Sequence, residues 1–237
     1  MKNIDVCLSP DLIHLYDLRD KTAVVVDILR ATSCMTAGFA NEVQHIVPFA
    51  KLEECKKMRD QGYLIAGERN GQKVDGFDLG NSPFDYMDQS VKGKSIAVTT
   101  TNGTLAISKS LDASKVVIAS FLNKTAIANY LRGVEKDIVV VCAGWKGKFN
   151  LEDTLFAGAL VESLKDFARP SCDAPMAAQA LYNQAKDDLY DFLKDSSHAQ
   201  RLQKFNVTED IKFCLQEDKF EVVPVLNGKE IVDLKRV

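Results

Sequence analysis

The chain has 237 residues, a mass of 26.2 kDa and 46% hydrophobic residues, enough to bury a substantial core. Its formal net charge of −3 and the lack of a long Lys/Arg cluster argue against nucleic acid as a partner. No apolar run approaches bilayer length, and the first residues lack the pattern of a signal peptide, so we expect a cytoplasmic protein with no membrane partner.

Short β-branched runs alternate with helical patterns up to about residue 167. This alternation predicts an α/β fold with a mostly parallel sheet and helices on both faces. The predicted strands are residues 3–8, 22–28, 45–49, 64–66, 95–99, 115–119 and 137–142. The predicted helices are residues 32–41, 52–60, 103–111, 124–131 and 151–167.

The C-terminal part has a different texture. Apolar residues recur at helical spacing from residue 174 to about 205, a region that we interpret as structural support. A β-hairpin is predicted around Asn227-Gly228, and Pro224 predicts that its strand lies at a sheet edge. We therefore expect one α/β unit over residues 1–237, in which residues 170–237 could form a subdomain.

Polar residues follow the predicted strands, where parallel sheets bind ligands beyond their carboxyl ends. Asp27 follows a run of valines, and Arg30 lies near the start of the next helix. The carboxylate could hold a divalent cation and the guanidinium an anion. The alternative is an ion pair that ties the strand to the helix.

A second candidate is the Thr-rich run at residues 99–104, which joins a strand to a helix. Its hydroxyls and backbone N–H groups could converge on a phosphate at the helix start, with Thr101, Asn102, Gly103 and Thr104 as candidates. The alternative is a plain helix cap in which glycine eases the turn.

The segment of residues 67–83 is long, polar and rich in glycine, as binding loops are. It supplies Glu68, Arg69 and Asp78, although an Asp beside Gly also forms Asx-turns. Glu152 and Asp153 begin a predicted helix, where capping and the helix dipole favour acids without any metal. Parallel-sheet topology could bring four of these acids together: Asp27, Glu68, Asp78 and Asp153. His198 is the one histidine kept in reserve for a site.

Several segments, in the same order, resemble the 2-phosphosulfolactate phosphatase family. They are VVVDILRATS (24–33), GERNGQKVDGFDLGNSP (67–83), TTNGT (100–104), SFLN (120–123) and CAGWKGKFNLEDTLFAG (142–158). The resemblance implies Mg²⁺-dependent hydrolysis of a small anionic phosphorylated substrate to 3-sulfolactate and phosphate, associated with coenzyme M biosynthesis.

On chemical grounds we hypothesise that Asp27, Glu68 and Asp78 bind Mg²⁺. Asp153 or Glu152 would be a further ligand or the base, while Arg30 would neutralise phosphoryl charge. The expected substrate-binding residues are Arg69, Thr101, Asn102, Gly103, Thr104 and Asn123. Four alternatives stay open: a phosphoenzyme on Asp27, a different small phosphorylated hydroxy acid as substrate, a noncatalytic anion-binding protein, and a homo-oligomer.

Overall fold

The computed structural model describes residues 1–236. Val237, the last residue of the predicted unit 1–237 and of the possible subdomain 170–237, lies outside the described part of the chain. The α/β class is confirmed, with a large, mostly parallel sheet and helices on both faces. Within residues 1–236, no helix is long and apolar enough to cross a membrane.

One sheet contains all the strands of the described residues, in the order β5-β4-β6-β3-β11-β10-β7-β2-β8-β1-β9. Their bounds are β1 (Lys2–Cys7), β2 (Thr22–Val26), β3 (His45–Pro48), β4 (Leu64–Arg69), β5 (Gln72–Lys73), β6 (Ser95–Thr99), β7 (Lys115–Ala119), β8 (Ile138–Cys142), β9 (Ala168–Pro170), β10 (Pro224–Asn227) and β11 (Glu230–Asp233).

The helices are α1 (Ala31–Ala40), α2 (Leu52–Lys57), α3 (Pro83–Tyr86), α4 (Gly103–Lys109), α5 (Lys124–Arg132), α6 (Leu151–Ser163), α7 (Asp173–Ala185), α8 (Leu189–Leu193), α9 (Ser197–Gln203) and α10 (Thr208–Cys214). Short 3₁₀ turns lie at Pro10–Leu15, Met58–Gln61, Gln89–Val91, Phe121–Asn123 and Leu234–Arg236.

The central strands β2 and β8 are buried at every position. Val24 and Val140 pack into the core on the side of α5, α6 and α7, whereas Val25 and Val141 pack into the core around α1 and α4. Alternate side chains of a strand point to opposite faces, so a continuous apolar run is needed when both faces are covered. This explains why these strands are unbroken valine-rich runs.

The sheet contains two groups of parallel strands that run in opposite directions. One group is β4, β6 and β3, and the other is β7, β2, β8, β1 and β9. Three antiparallel pairings through β10 and β11 join the groups and reverse the direction. A twist of about 20–25° per strand accumulates to roughly 120–150° over the steps from β4 to β2. This rotation largely offsets the reversal, so the carboxyl ends of β2, β4 and β6 meet.

The predicted C-terminal hairpin is present, but it lies in the middle of the sheet. β10 pairs with β7 through Val225, and β11 pairs with β3 through Ile231. The prediction that Pro224 marks an edge strand is therefore wrong. Pro224 is the first residue of β10, a position where the missing N–H is tolerated.

The helical pattern of residues 174–205 divides into α7, α8 and α9. The Asp188 carboxylate accepts the Asp191 N–H at 2.9 Å, and the Ser196 hydroxyl accepts the Ala199 N–H at 3.2 Å. These caps begin α8 and α9 and so break the pattern into separate helices. The sequence pattern does not predict β5 and β9, because two or three residues are too few to show an alternation.

Replacing Gly158 by Ala tests the packing of α6 on α7. A Cβ at this position would overlap the Ala178 carbonyl and lie 2.9 Å from Tyr182 Cβ, so the helices must separate. We expect a loss of about 2–3 kcal/mol in the free energy of unfolding, measured by urea denaturation. In the control Gly133→Ala, the new Cβ would meet only the Tyr130 carbonyl oxygen, at 3.5 Å, and stability should hardly change. Equal effects of the two substitutions would contradict the close helix contact.

Candidate active site

A cleft of about 310 Å³ opens where the carboxyl ends of β2, β4, β6 and β8 meet. Two carboxylates and several cations line it, together with amides and aromatic rings. The lining residues are Asp27, Leu29, Arg30, Glu68, Asn70, Gly71, Asn81, Asn102, Trp145, Lys146, His198, Arg201, Leu202, Lys204 and Phe205.

Asp27 follows β2 and is 8% exposed. Its Oδ1 accepts the Ala31 N–H at 3.2 Å, whereas Oδ2 has no hydrogen-bond partner among the described residues. Burial raises the pKa of this carboxyl to about 6; Glu68 and Glu152 add to the rise, while the Ala31 N–H and His198 act against it. The free oxygen and the raised pKa are typical of a functional carboxylate.

Gly103 brings the start of α4 against Asp27. A Cβ on this glycine would lie 2.7 Å from Ala31 Cβ and 2.8 Å from Asp27 Oδ2. No side chain fits there, so the approach of the Thr-rich loop to Asp27 requires glycine.

Glu68 fastens the same loop to the turn after β4. Its buried carboxylate accepts the Thr101 N–H at 3.4 Å and the Thr101 hydroxyl at 3.2 Å, and it also accepts the Gly71 N–H. Asn102 extends the connection, because its Oδ1 accepts the Lys146 N–H at 3.1 Å. Three loops from different strands are therefore joined around the cleft.

Other atoms of the Thr-rich run cap α4. The Thr104 N–H donates to Thr100 Oγ1 at 3.1 Å, and the Thr104 hydroxyl donates to the Thr100 carbonyl at 2.9 Å. Thr104 therefore caps the helix, as the alternative interpretation predicts, and it does not line the cleft. Of the predicted loop residues, Asn102 lines the cleft.

Arg30 lines the cleft and forms a buried ion pair with Asp210 of α10. Arg30 Nη1 donates to Asp210, whereas Nε and Nη2 have no hydrogen-bond partner within residues 1–236, and Nε is shielded from solvent. The Asp–Arg pair considered from the sequence is not formed, since the carboxylate that holds Arg30 comes from the C-terminal part of the chain. Arg30 is therefore held in place with one end of its guanidinium open to the cleft.

Asp153 lies behind the cleft and is fully buried. Its Oδ1 accepts the Ile28 N–H at 2.8 Å, and its Oδ2 accepts the Gly144 N–H at 3.0 Å and an Asn150 Nδ2 hydrogen at 2.8 Å. Burial raises the pKa of this carboxyl well above its usual range, and Glu152 adds to the effect. With both oxygens engaged, Asp153 holds the ends of β2 and β8 together.

Glu152, the neighbouring acid on α6, is paired with a histidine. It is 1% exposed, and its Oε1 contacts His198 Nδ1 and accepts an Asn150 Nδ2 hydrogen at 3.0 Å. The His198 ring packs against Trp145 with 5.3 Å between centroids, and the Arg201 guanidinium lies 4.2 Å from the Trp145 centroid. This pair joins α6 to α9 at the wall of the cleft.

The structure does not place Asp78 with Asp27 and Glu68. Asp78 Oδ2 accepts the N–H of Ile65, near the start of β4, and its Oδ1 accepts from Arg59, both at 2.8 Å. Glu68 is three residues further along the strand, roughly 10 Å away at the usual rise per residue. The predicted set of three carboxylates is therefore not assembled, because Asp78 lies near the start of β4 and Glu68 near its end.

Two predicted substrate-binding residues also lie outside the cleft. Arg69 donates to the Thr99 hydroxyl at 2.8 Å and to the Glu68 carbonyl at 2.7 Å. Asn123 is fully buried; its Oδ1 accepts the Ser120 N–H at 2.9 Å. Both side chains are engaged in tying loops to strands.

Sequence reasoning missed part of the cleft. Trp145, Lys146 and Asn81 line the cleft and lie in segments that resemble the family. Their position in these segments is a signal that could have identified them. Arg201 and Lys204 have no such signal, because the region that contains them has an ordinary amphipathic pattern. The region of residues 174–205 that we interpret as support also contributes to the cleft wall, since α9 and the residues after it line the cleft.

The donor set of the cleft fits a hard cation. Asp27 Oδ2 is free, Glu68 lies on the same wall, and Asn81 Oδ1 is buried with no partner among the described residues. Mg²⁺ prefers oxygen ligands and is often held by one or two carboxylates together with substrate phosphate. Within residues 1–236, no cluster of three or more His, Cys, Asp or Glu residues could hold a metal ion, so any Mg²⁺ here would rely on amide, water or substrate oxygens.

Comparison with known proteins places the chain in a family. The profile described as 2-phosphosulpholactate phosphatase matches residues 7–229. A protein named "Probable 2-phosphosulfolactate phosphatase" from Caldanaerobacter subterraneus subsp. tengcongensis is 45% identical over 217 residues, 90% of each chain. Proteins with the same name from Thermotoga petrophila (42% over 226 residues, 95% of this chain and 96% of the relative) and Clostridium acetobutylicum (36% over 234 residues, 97% and 99%) are also similar. The chain belongs to the 2-phosphosulfolactate phosphatase family.

Proposed function

We propose that this protein is a Mg²⁺-dependent phosphatase that hydrolyses 2-phosphosulfolactate to 3-sulfolactate and phosphate. The observation that carries the proposal is a cleft in which two carboxylates, Asp27 and Glu68, share the wall with Arg30, Lys146 and Lys204. A metal-assisted reaction on a polyanion needs carboxylates that bind the cation. It also needs positively charged side chains that bind the substrate. The names of the relatives support the choice of substrate.

Asp27, Glu68 and Asn81 would hold the Mg²⁺ ion through the oxygens described above. Bound there, Mg²⁺ would supply positive charge for the phosphoryl group and would make a water molecule a better nucleophile. Gly103 lets the Thr-rich loop approach Asp27 closely, which places Asn102 in the wall of the same cleft.

Arg30 is the cation placed deepest in the cleft. It is 4% exposed, and Asp210 fixes its orientation, so it costs little reorganisation to direct Nη2 at a phosphoryl oxygen. Its role is to neutralise charge that develops on the phosphoryl group as the ester bond breaks.

Lys146 and Lys204 are exposed residues at the rim of the cleft, and the Arg201 guanidinium stacks on Trp145 in the same wall. The substrate carries a carboxylate and a sulfonate as well as the phosphate. We assign these rim cations to the two remaining anionic groups, in place of Arg69, whose guanidinium is bound to its own loop.

A phosphate-release assay tests the function. The panel contains 2-phosphosulfolactate and other phosphorylated 2-hydroxy acids, each with Mg²⁺ and with EDTA. We expect release from 2-phosphosulfolactate that depends on Mg²⁺. Release from the other esters alone would overturn the named substrate, and binding without release would favour an anion-binding protein.

Replacing Asp27 by Asn tests the metal site. Asn keeps an oxygen for the Ala31 N–H but lacks the charge, so we expect kcat to fall on the order of 100-fold or more. The rise in melting temperature on adding Mg²⁺ should also disappear, because bound ligand no longer stabilises the fold.

The matched control is Asp78→Asn, at the other end of β4. It disturbs the bonds to Ile65 and Arg59 and should cost about 1 kcal/mol of stability. Its kcat and its Mg²⁺ response should stay close to those of the unaltered protein. Loss of the Mg²⁺ response in the Asp78 variant but not in the Asp27 variant would contradict the assignment.

The rim cations are tested by Lys146→Gln and Lys204→Gln. Each exposed charge is expected to contribute about 0.2–1 kcal/mol to binding, so KM should rise by up to about 5-fold per substitution with kcat nearly unchanged. The effect should shrink at high ionic strength. Lys56→Gln on the exposed part of α2 serves as the control, and a KM change of the same size there would argue against a specific role of the rim.

Asp27 should also make stability depend on pH when a chelator removes divalent ions. Its pKa is about 6 in the folded protein and about 3.9 in the unfolded chain, so the folded state holds more protons between these values. Stability therefore falls as the pH rises through this window, by about 1–3 kcal/mol from this group. Asp27→Asn should be more stable than the unaltered protein at pH 8 and equal to it at pH 4, as measured by chemical denaturation. A difference independent of pH would contradict this explanation.

A further inference from the structure

We propose that His198, held by Glu152, is the general acid that protonates the leaving oxygen of the substrate. The inference rests on the proposed phosphatase function and adds a catalytic residue to it. It starts from the orientation of the imidazole, which lines the cleft although it is only 6% exposed.

The ring has one nitrogen in the protein interior and one toward the cleft. Nδ1 contacts Glu152 Oε1, which is buried and, as a carboxylate, can only accept a hydrogen bond. Nδ1 therefore carries a proton. Nε2 has no hydrogen-bond partner within residues 1–236 and is not among the side-chain atoms shielded from solvent, so it is free to meet a ligand.

The second observation is the burial of the Glu152 carboxylate beside the ring. Glu152 is 1% exposed, and its Oε2 has no partner in the described part of the chain. A buried carboxylate is costly unless a cation compensates it, and His198 is the group in contact with it. A protonated His198 would compensate Glu152 and present its second N–H at the cleft.

The surrounding charges and rings fix this arrangement. Asp27 lines the same cleft, and His198 acts to lower the pKa of its carboxyl, while Lys146 and Arg201 lie against the Trp145 ring, 5.4 and 4.2 Å from its centroid. The Trp145 ring packs on the imidazole and limits its rotation. The histidine is therefore both oriented and adjacent to the proposed metal-binding carboxylate.

The chemistry needs such a donor. Water attacks phosphorus, the bond from phosphorus to the ester oxygen breaks, and the electron pair stays on that oxygen. The leaving group is the alkoxide of a secondary alcohol, a poor leaving group unless it receives a proton. His198 Nε2–H supplies that proton, and the imidazole regains one released by the attacking water. The net reaction consumes one water molecule.

The dependence on the leaving group distinguishes this role from a structural one. His198→Gln keeps a donor for Glu152 but cannot transfer a proton. We expect kcat for 2-phosphosulfolactate to fall about 100-fold or more, whereas kcat for 4-nitrophenyl phosphate, whose leaving group needs no proton, should fall by less than about 10-fold. Circular dichroism and the Mg²⁺-induced rise in melting temperature should be retained.

His45→Asn is the matched control. His45 forms a hydrogen bond with Tyr63, the residue before β4, and does not line the cleft. It should change neither rate. Glu152→Gln keeps the acceptor for Nδ1 but removes the charge, so it should lower kcat for the alkyl ester more than for the aryl ester, with KM unchanged.

Equal losses on both esters, or no loss in His198→Gln, would overturn the proposal. If the unaltered protein does not hydrolyse the aryl ester, His198→Ala is assayed with 2-phosphosulfolactate and added imidazole, and failure of imidazole to restore turnover would overturn it. Absence of any hydrolysis by the unaltered protein would instead refute the proposed function, so the two failures are distinguishable.

Discussion

The close approach of the Gly103 backbone to the Asp27 carboxylate brings the carboxyl ends of the two strand groups together, and the cleft depends on it. The two parallel strand groups run in opposite directions, and only the accumulated twist brings their carboxyl ends together. At the meeting point there is no room for a Cβ. A single side chain at residue 103 would separate the Thr-rich loop from Asp27 and strain the bond that Asn102 Oδ1 accepts from the Lys146 N–H across the gap.

Buried acids around the cleft differ in what compensates them, and this separates their roles. Backbone and amide N–H groups occupy both oxygens of Asp153, while His198 compensates Glu152. Asp27 keeps one oxygen free. Asp153 thus holds strand ends, Glu152 orients a histidine and Asp27 faces the cleft. The roles differ because a buried carboxylate needs a partner, which is either a protein group or a ligand.

Much of the framework could be predicted from the sequence because it is encoded locally. The valine runs of β2 and β8, the helix start after Asp27 and the Asn227-Gly228 hairpin all follow from patterns within a few residues. The position of the hairpin in the sheet could not be predicted, since Pro224 is compatible with a first strand residue as well as with an edge. Likewise, the helical pattern of residues 174–205 does not reveal that α9 meets a cleft whose other wall is formed by residues more than 50 positions earlier.

The sequence by itself determined the α/β class, the family and the placement of Asp27 and Glu68 at strand ends, because strand periodicity, capping and motif order are properties of neighbouring residues. The tertiary structure decided which acids share a site. Asp78 and Glu68 are ten residues apart in the same motif, yet they lie at opposite ends of β4, whereas Glu152 and His198 meet across 46 positions. Such meetings depend on the twist of the whole sheet and on where the C-terminal helices pack, and both are set by burial of apolar surface throughout the chain.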